Sequence, residues 1–393
     1  MRSKTVLHAY LALSLVSPVE RVSAGPTGVS GENWTLLMSP GQCGPGYSNP
    51  PPQGLPSPYW SHRIAVDRDG RTSLTNLSMG QACVISSNGQ VSLFAGGNGL
   101  VGQPGLGDGG LALNASIYPD GIAVDGEGNV LMTDRASNRI RRVDATGIIS
   151  SIAGGGGFGN EGVGGPATLA QLGATLRGIF VDPSSQIYFV EAEGPRVLRI
   201  DNQGILTHIA GKWVCLGMGG DGGPALEAEL AWPSDVAATS TGIVFIADEA
   251  NGRIRRVDES GMITTLYGDG NLGNEGCMGF ENPGGGVEPL SPRGIALDSR
   301  GALIIADGPG GLNPNNVPAV SRLLIIYPSG DKCVIPVSDP TDVAVDSEGR
   351  IIYATAFGEI WRIEDPDAEC GFDNPVDWKW GVLEELLDLP DTL

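Results

Sequence analysis

The chain has 393 residues, of which 61 are glycine and 28 are proline, and 41% of the residues are apolar. So many turn-forming residues exclude a coiled coil or a helical bundle, and the apolar share is sufficient for a buried core. The formal net charge of −21 argues against a nucleic-acid backbone or an anionic membrane surface as the main partner, because like charges repel.

Residues 1–24 have the pattern of a secretory signal peptide. Arg2 and Lys4 precede a mostly apolar run over residues 6–16, and residues 22–24 have the small-x-small form that a signal peptidase accepts. No later stretch has the ~18 consecutive apolar residues of a membrane-spanning helix. We therefore expect a secreted protein, or a periplasmic one if the source is bacterial.

One unit repeats six times along the rest of the chain. Each copy contains an apolar triplet that ends in a polar residue, at Asp67, Asp125, Asp182, Thr239, Asp298 and Asp346. These residues are 58, 57, 57, 59 and 48 positions apart. Within each copy, short apolar runs alternate with Gly, Asp and Asn turns, which predicts four antiparallel strands. The predicted fold is all-β: a six-bladed β-propeller of four-stranded antiparallel blades, with Gly-rich arms between the blades.

The domain boundaries follow from the repeats. The propeller is expected over residues 62–364, after a Pro/Gly-rich segment over residues 25–61 and before an acidic tail with a short helix over residues 365–393. The fifth copy carries an insertion over residues 308–319, between its second and third strands. The sixth copy has no evident fourth strand, so we expect the apolar residues 33–38 to supply it, because an open edge would expose unpaired backbone groups.

The repeats resemble the NHL family. The family pattern has Pro-x-Gly before the apolar triplet, then a second strand, then Arg-Ile-Arg in the third strand. Residues 119–144 and 233–258 follow it closely, with Asp235 at the glycine position of the latter segment. The linkers at residues 107–110 and 220–225 look like the long arms of NHL propellers in teneurins and in many bacterial secreted proteins. This resemblance, over about residues 62–364, implies a six-bladed propeller and leaves the activity open, because propellers host many functions.

A ring of polar residues is expected at the mouth of the central channel, on the rim that bears the arms. The residues five positions before the end of each triplet differ in charge from copy to copy: His62, Asp120, Arg177, Ser234, Arg293 and Thr341. The next position holds Arg63, Gly121, Gly178, Asp235, Gly294 and Asp342. Variation where packing does not require it predicts ligand contacts by His62, Asp120, Arg177, Asp235, Arg293 and Asp342. The alternative is that these loop residues hydrogen-bond to one another.

A second ring consists of the acidic residues nine positions after the triplet end: Asp134, Glu191, Asp248 and Asp307. Their oxygens could bind a divalent cation such as calcium. Their recurrence favours a local role instead, in which each acid caps its own turn or pairs with a following arginine, such as Arg139, Arg196 or Arg253.

Catalytic motifs are sparse. Outside the signal segment the histidines are His62 and His208, too few for a three-histidine zinc site, and no Gly-x-Ser-x-Gly elbow has a histidine partner. We therefore favour a monomeric binding module for a peptide, a glycan or another protein, with no assigned catalytic residue or cofactor. The alternative is a metal-dependent hydrolase or lactonase, like the gluconolactonase-like propellers, with carboxylates at the same channel mouth.

Six cysteines are an even number and none forms a Cys-x-x-Cys pair, which favours disulfides in an oxidising compartment. Fifteen pairings are possible. The pairs we expect are Cys215 with Cys277 in neighbouring arms, Cys333 with Cys370, and Cys43 with Cys83.

Overall fold

The computed structural model describes residues 33–39, 42–43, 62–97, 107–173, 175–213, 217, 219–268, 291–308 and 321–370. The expected signal peptide, the Cys215–Cys277 pair and the greater part of the acidic tail lie outside these residues. So does nearly all of the predicted insertion in the fifth copy.

The first three blades are regular four-stranded antiparallel sheets, numbered from the channel outwards. Strand β1 (Trp34–Met38) comes before them in the chain. The first blade contains β2 (Ile64–Val66), β3 (Thr72–Asn76), β4 (Gln81–Ile85) and β5 (Val91–Ala95). The second contains β6 (Pro119–Val124), β7 (Val130–Asp134), β8 (Arg139–Val143) and β9 (Ile149–Ala153). The third contains β10 (Leu176–Val181), β11 (Ile187–Glu191), β12 (Arg196–Ile200) and β13 (Leu206–Ala210).

The other three blades follow the same order. The fourth contains a short arm strand β14 (Gly223–Pro224) with β15 (Pro233–Ala238), β16 (Val244–Asp248), β17 (Arg253–Val257) and β18 (Met262–Tyr267). The fifth contains β19 (Pro292–Leu297), β20 (Leu303–Asp307), β21 (Arg322–Ile326) and β22 (Lys332–Pro336). The sixth contains β23 (Pro340–Val345), β24 (Ile351–Thr355) and β25 (Ile360–Ile363), and helix α1 (Pro366–Cys370) follows it.

Short 3-10 helices occupy several turns and arms of the described chain, at Leu77–Met79, Ala112–Asn114, Ala167–Leu169, Ala225–Glu227 and Glu249–Asn251. Among the described residues, no helix has the length and apolar character needed to cross a membrane.

The six sheets form a closed ring. The inner strands touch in the order β2, β6, β10, β15, β19 and β23, and β23 touches β2 again. A buried apolar cluster fills each of the six junctions between neighbouring blades. Each blade therefore covers both of its apolar faces with its neighbours, which confirms the predicted six-bladed propeller.

The N-terminal strand closes the ring. β1 pairs antiparallel with β25, so the outer strand of the sixth blade comes from residues far away in sequence, where the sequence placed it. One disulfide supports this junction and a second joins β22 to α1, and both match expected pairs: Cys43–Cys83 and Cys333–Cys370.

Each described arm ties two blades together. In the arm before the second blade, the N–H of Gly109 donates to Ile149 of the outer strand β9, and the N–H of Gly96, at the end of the first blade, donates to Ala112. Gly154 ends the second blade in the same way with a φ of 90°. A Cβ at Gly154 would lie 2.1 Å from the carbonyl oxygen of Asn138, so only glycine fits.

The recurrent Asp at the end of each inner strand is a turn cap. Asp125 Oδ1 accepts the N–H groups of Glu127 and Asn129, both at 2.9 Å. Asp182, Asp298 and Asp346 make the equivalent bonds. The motif residue therefore serves the hairpin on the face opposite the arms.

Met38 provides a test of ring closure by β1. It is 1% exposed in the cluster between the sixth and first blades, so Met38→Ala should lower the free energy of unfolding by ~2–5 kcal/mol in chemical denaturation. Leu113→Ala, on an arm and 43% exposed, is the control and should change it by no more than ~0.5 kcal/mol. Equal effects of the two substitutions would contradict closure by β1.

Candidate functional site

Arg63 reaches across the centre of the ring and is only 2% exposed. Its Nη1 donates to Asp342 Oδ1 at 3.2 Å and lies 3.6 Å from Asp235 Oδ2. Nη1 also donates to the carbonyl oxygen of Arg293 at 2.7 Å, and Nη2 donates to that of Ser234 at 3.0 Å. One side chain of the first blade therefore bonds the inner strands of the fourth, fifth and sixth blades.

The two carboxylates that face Arg63 also join neighbouring blades. Asp235 Oδ2 accepts the N–H of Ile295 at 2.9 Å, and Asp342 Oδ2 accepts the N–H of Ile64 at 2.7 Å. A Cβ at Gly178 or Gly294 would lie 2.0 Å from Oδ1 of Asp235 or Asp342, respectively. Glycine at these two positions makes room for the charged groups.

Burial governs the ionisation of this cluster. It raises the pKa of Asp235 to about 7 despite the nearby Arg63, and the charge of Asp342 adds to the rise. Burial also raises the pKa of Asp342. For Arg63, burial alone would lower the pKa, and the carboxylates of Asp342, Asp235 and Asp120 raise it above its ordinary value. Arg63 is therefore a permanent cation beside Asp235 and Asp342, two carboxyl groups that hold their protons more tightly than usual.

Two further ion pairs lie on the arm-bearing rim. Arg177 Nη1 is 2.5 Å from Glu249 Oε2, and Arg135 Nη1 is 3.3 Å from Asp120 Oδ2. Burial would raise the pKa of Glu249, but the cations of Arg177, Arg293 and Arg63 lower it. Arg135, Arg177 and Arg293, which we call the rim arginines, are all partly exposed.

The predicted ring thus divides into two groups. Asp120, Asp235 and Asp342 surround Arg63 inside the ring, whereas Arg177 and Arg293 lie on the rim. His62 is buried against its own blade: its Nδ1 is 2.5 Å from the carbonyl oxygen of Thr75, and burial lowers its pKa. Much of this ring therefore fits the alternative that these residues hydrogen-bond to one another and to the backbone.

Sequence reasoning left Arg63, Glu249 and Arg135 out of the predicted site. A signal for Arg63 existed in the repeat itself. Three copies, with Arg63, Asp235 and Asp342, depart from the glycine that the other three copies share. One departure is cationic and two are anionic, and these three side chains form the cluster together with Asp120.

A cavity of about 180 Å³ runs along the ring axis. Arg63, Asp235 and Asp342 line it at the arm-bearing end, and the inner strands of all six blades line the remainder with mostly aliphatic residues. The polar cluster therefore lies between the rim and the rest of the cavity.

The second predicted ring serves the individual blades. Asp134 accepts the N–H of Tyr118 at 3.0 Å, and Asp248 accepts that of Ala231 at 2.7 Å. Asp307 and Glu191 accept equivalent N–H groups just before their inner strands. Burial raises the pKa of Asp248 and that of Asp307 to about 6 each.

The arginine partners differ in part from those expected. Glu191 pairs with Arg196 at 2.6 Å as expected, but Asp134 pairs with Arg141, and Asp248 with Arg255. Arg141 and Arg255 are fully buried. They lie two residues farther along their strands than Arg139 and Arg253, the partners that were expected. The third blade has leucine at that position, so its acid pairs with the nearer arginine.

These four acids do not converge on one point. They lie on four different blades, and each contacts its own arginine. Over the described residues, no group of three or more His, Cys, Asp or Glu side chains is arranged to hold a metal ion. The ring therefore does not fit a shared calcium site.

Removing the central cation tests its role. Arg63→Ala leaves Asp235 and Asp342 buried without their charge partner and should lower the free energy of unfolding by ~3–5 kcal/mol, measured by chemical denaturation. The control is Arg142→Ala, whose partly exposed side chain is 3.1 Å from Glu127; it should cost ~1 kcal/mol or less. A small effect of Arg63→Ala would show that the cluster does not support the ring.

The raised pKa of Asp235 predicts a pH dependence. A carboxyl group with a higher pKa in the folded state than in the unfolded state stabilises the fold when it is protonated, and this contribution is lost as pH rises through about 7. Wild-type melting temperature should therefore fall between slightly acidic and slightly basic pH. Asp235→Asn should flatten that slope, whatever its effect on absolute stability. An unchanged slope would contradict this assignment.

Comparison with known proteins supports the fold. Residues 214–278 match the family model of the teneurin NHL domain, which confirms the NHL resemblance in that stretch. A candidate gluconolactonase of known structure is 14% identical with a TM-score of 0.52, over 86% of this chain and 93% of that one. A protein of unknown function from Bacteroides thetaiotaomicron has the same identity and TM-score, over 84% and 75% of the two chains. Virginiamycin B lyase from Staphylococcus aureus is 17% identical, over 77% and 94%, with a TM-score of 0.46. The chain is a six-bladed β-propeller with an NHL-type segment.

Proposed function

We propose that this protein is a secreted, non-catalytic interaction module that binds an acidic segment of a partner protein through its arm-bearing rim. The rim arginines carry this proposal. In a chain with a net charge of −21, Arg135, Arg177 and Arg293 gather around one end of the ring axis. Partly exposed guanidinium groups in an acidic chain can attract an oppositely charged partner and orient it.

The surroundings of the rim arginines suit a peptide. Glu249 lies among arginines that lower its pKa, so this part of the rim already holds one carboxylate of protein origin. Phe357 lies 53% exposed in the turn between β24 and β25, which is on the same rim. Arginine and aromatic side chains together are typical of interaction surfaces.

Secretion is supported by the disulfides. Cys43–Cys83 and Cys333–Cys370 are both formed, and such bonds persist in oxidising compartments. This agrees with the signal-peptide pattern of residues 1–24.

The arrangement of carboxylates favours binding over lactone hydrolysis. Asp235 and Asp342 are committed to Arg63, and Asp120 lies between Arg63 and Arg135. A metal-dependent lactonase needs carboxylates that share one ion. The acids near the channel mouth instead contact arginines.

A labelled oligoglutamate peptide tests the rim by fluorescence anisotropy. Arg177→Ala and Arg293→Ala should each weaken its binding about fivefold, which corresponds to ~1 kcal/mol for a partly exposed charge pair, and should change the melting temperature little. Glu249→Gln should strengthen binding, because it removes the carboxylate that now holds these arginines.

Arg68→Ala is the matched control, since Arg68 is an exposed arginine in a turn on the opposite face. It should leave peptide binding unchanged. Equal weakening by Arg68→Ala, or no gain from Glu249→Gln, would contradict a rim site. Lactone hydrolysis that a chelator abolishes would replace the interaction module with the lactonase.

A further inference from the structure

The arms that lead into the second, third and fourth blades share one buried face. Each arm folds into a short 3-10 turn that buries two alanines and, two residues later, one aliphatic side chain. These buried residues are Ala112, Ala115 and Ile117; Ala167, Ala170 and Leu172; and Ala225, Ala228 and Leu230. The shared face attaches each arm to the propeller and therefore belongs to the scaffold.

The exposed face of the third blade's arm, residues 154–173, departs from the other two. Val163 and Leu169 are exposed, and both stand where the other arms have a polar residue. The residues at these positions are Asp108 and Asn114 in the arm of the second blade, and Asp221 and Glu227 in that of the fourth. The reverse change occurs at Thr168, where the other arms have an exposed leucine. The buried packing of the arm does not require Val163 or Leu169 to be apolar.

A third exposed apolar side chain, that of Phe158, lies on the same arm because the arm folds back on itself. Phe158 forms a parallel bridge with Leu172, and a Cβ at Gly162 would lie 2.8 Å from Cα of Ala170. The two exposed aliphatic residues adjoin Gly162 and Ala170 in the chain, so the three side chains lie close together. They form what we call the third-arm patch: Phe158 (61% exposed), Val163 (45%) and Leu169 (72%). Grouped apolar side chains on a surface are typical of a contact site.

The charges beside the third-arm patch are negative. Glu161 is exposed, and its carbonyl oxygen accepts the N–H of Gln171 at 2.9 Å. Asp201 begins the turn in which the carbonyl oxygen of Gly204 accepts the N–H of Ala167 at 2.8 Å. Neither carboxylate has an ion pair within the part of the chain that the structure describes. Residues 154–173 and 201–205 contain no Lys or Arg.

Arg196 also contacts this arm, but it does not neutralise these carboxylates. Its Nη1 donates to the carbonyl oxygen of Asn160 at 3.4 Å. Its side chain is only 4% exposed and pairs with Glu191. The surface of the arm therefore presents apolar side chains beside negative charges that have no cation.

These charges select the kind of partner. A basic segment would pair with Glu161 and Asp201 while its apolar side chains cover the third-arm patch, and an acidic segment would be repelled. A second copy of this chain is disfavoured, because a two-fold contact would bring these carboxylates near their own equivalents in a chain with a net charge of −21.

We propose that the third-arm patch binds an amphipathic basic segment of a partner protein, with aliphatic side chains on Phe158 and Leu169 and with Lys or Arg beside Glu161 and Asp201. The site lies on the outer wall of the ring, where the arm passes from β9 to β13. It does not involve the rim arginines, and its segment has the opposite charge from the one proposed for the rim.

Three labelled peptides of one length test the proposal by fluorescence anisotropy: LKKLLKKLLKKL, LEELLEELLEEL and SKKSSKKSSKKS. The leucine–lysine peptide should bind. The other two should each bind at least about tenfold more weakly, because one is repelled and the other has no apolar side chains to bury. Equal binding of either peptide, or no binding of the leucine–lysine peptide, would overturn the proposal.

Two variants locate the site. Leu169→Asn introduces the residue found at the equivalent Asn114, so the arm should fold as before. Leu169→Asn and Phe158→Ser should each weaken binding of the leucine–lysine peptide at least about fivefold, because each removes apolar surface from the contact. The matched control is Leu113→Asn, at an exposed leucine on the arm of the second blade, which should bind as wild type does. Retained binding in a variant that melting curves show to be folded, or equal weakening by the control, would overturn the proposal.

Glu161→Gln tests the contribution of charge. It should weaken binding of the leucine–lysine peptide about two- to fivefold, the effect of one exposed charge pair. The matched control is Glu259→Gln, at an exposed glutamate in a turn of the fourth blade, which should leave binding unchanged. Equal weakening by the two variants would show that binding follows net charge and not the third-arm patch, which would refute the site.

Sedimentation velocity distinguishes a partner from a second copy. We expect the same sedimentation coefficient for wild type and Leu169→Asn. A wild-type dimer that Leu169→Asn converts to a monomer would show that the patch binds a second copy, and the proposal would be wrong. Arg177→Ala should leave leucine–lysine binding unchanged, so failure of the rim proposal and failure of this one are distinguishable.

Discussion

The burial of one arginine among acids from other blades is the constraint on which the centre of this propeller depends. Arg63 is removed from water, so its charge must be met by groups that only a closed ring can bring near it. Asp235 and Asp342 supply that charge, and Oδ2 of each also accepts a backbone N–H group from the next blade. The closed ring and the neutralised arginine therefore require each other.

This cluster also makes the two faces chemically different. On the arm-bearing side, the guanidinium group of Arg63 donates hydrogen bonds to backbone carbonyl groups of two blades. The remaining charged side chains lie on an exposed rim. On the other side, the inner strands present aliphatic residues to the axis. If the lining were the same along the whole channel, its two ends would not differ chemically. One side chain thus separates the exposed, charged rim from the axial cavity.

The features that could be predicted from the sequence are those that repeat. A regular spacing of apolar triplets indicated six blades, and the recurring Asp indicated turns, because both depend on neighbours within one copy. The closing strand β1 could be inferred because one blade lacked a partner for its edge. The Arg63 cluster could not, since Arg63 and Asp342 are 279 residues apart and their proximity depends on blade count and twist. The sequence showed that the charge at this position varies between copies, but it did not show that Arg63 and the acids meet and neutralise one another.

Repeats within one chain provide an internal comparison that separates scaffold charges from the rest. In the second blade, Arg141 contacts Asp108 of the preceding arm at 2.7 Å, and the fourth blade has the same pair. At the equivalent positions the third blade has Leu198 and Val163, so both members are apolar there. Loss of the arginine removes the reason for an acid in the arm, because the acid would have no cation to meet. Charges that change together in this way belong to the scaffold, and the rim arginines share no such repeated partner.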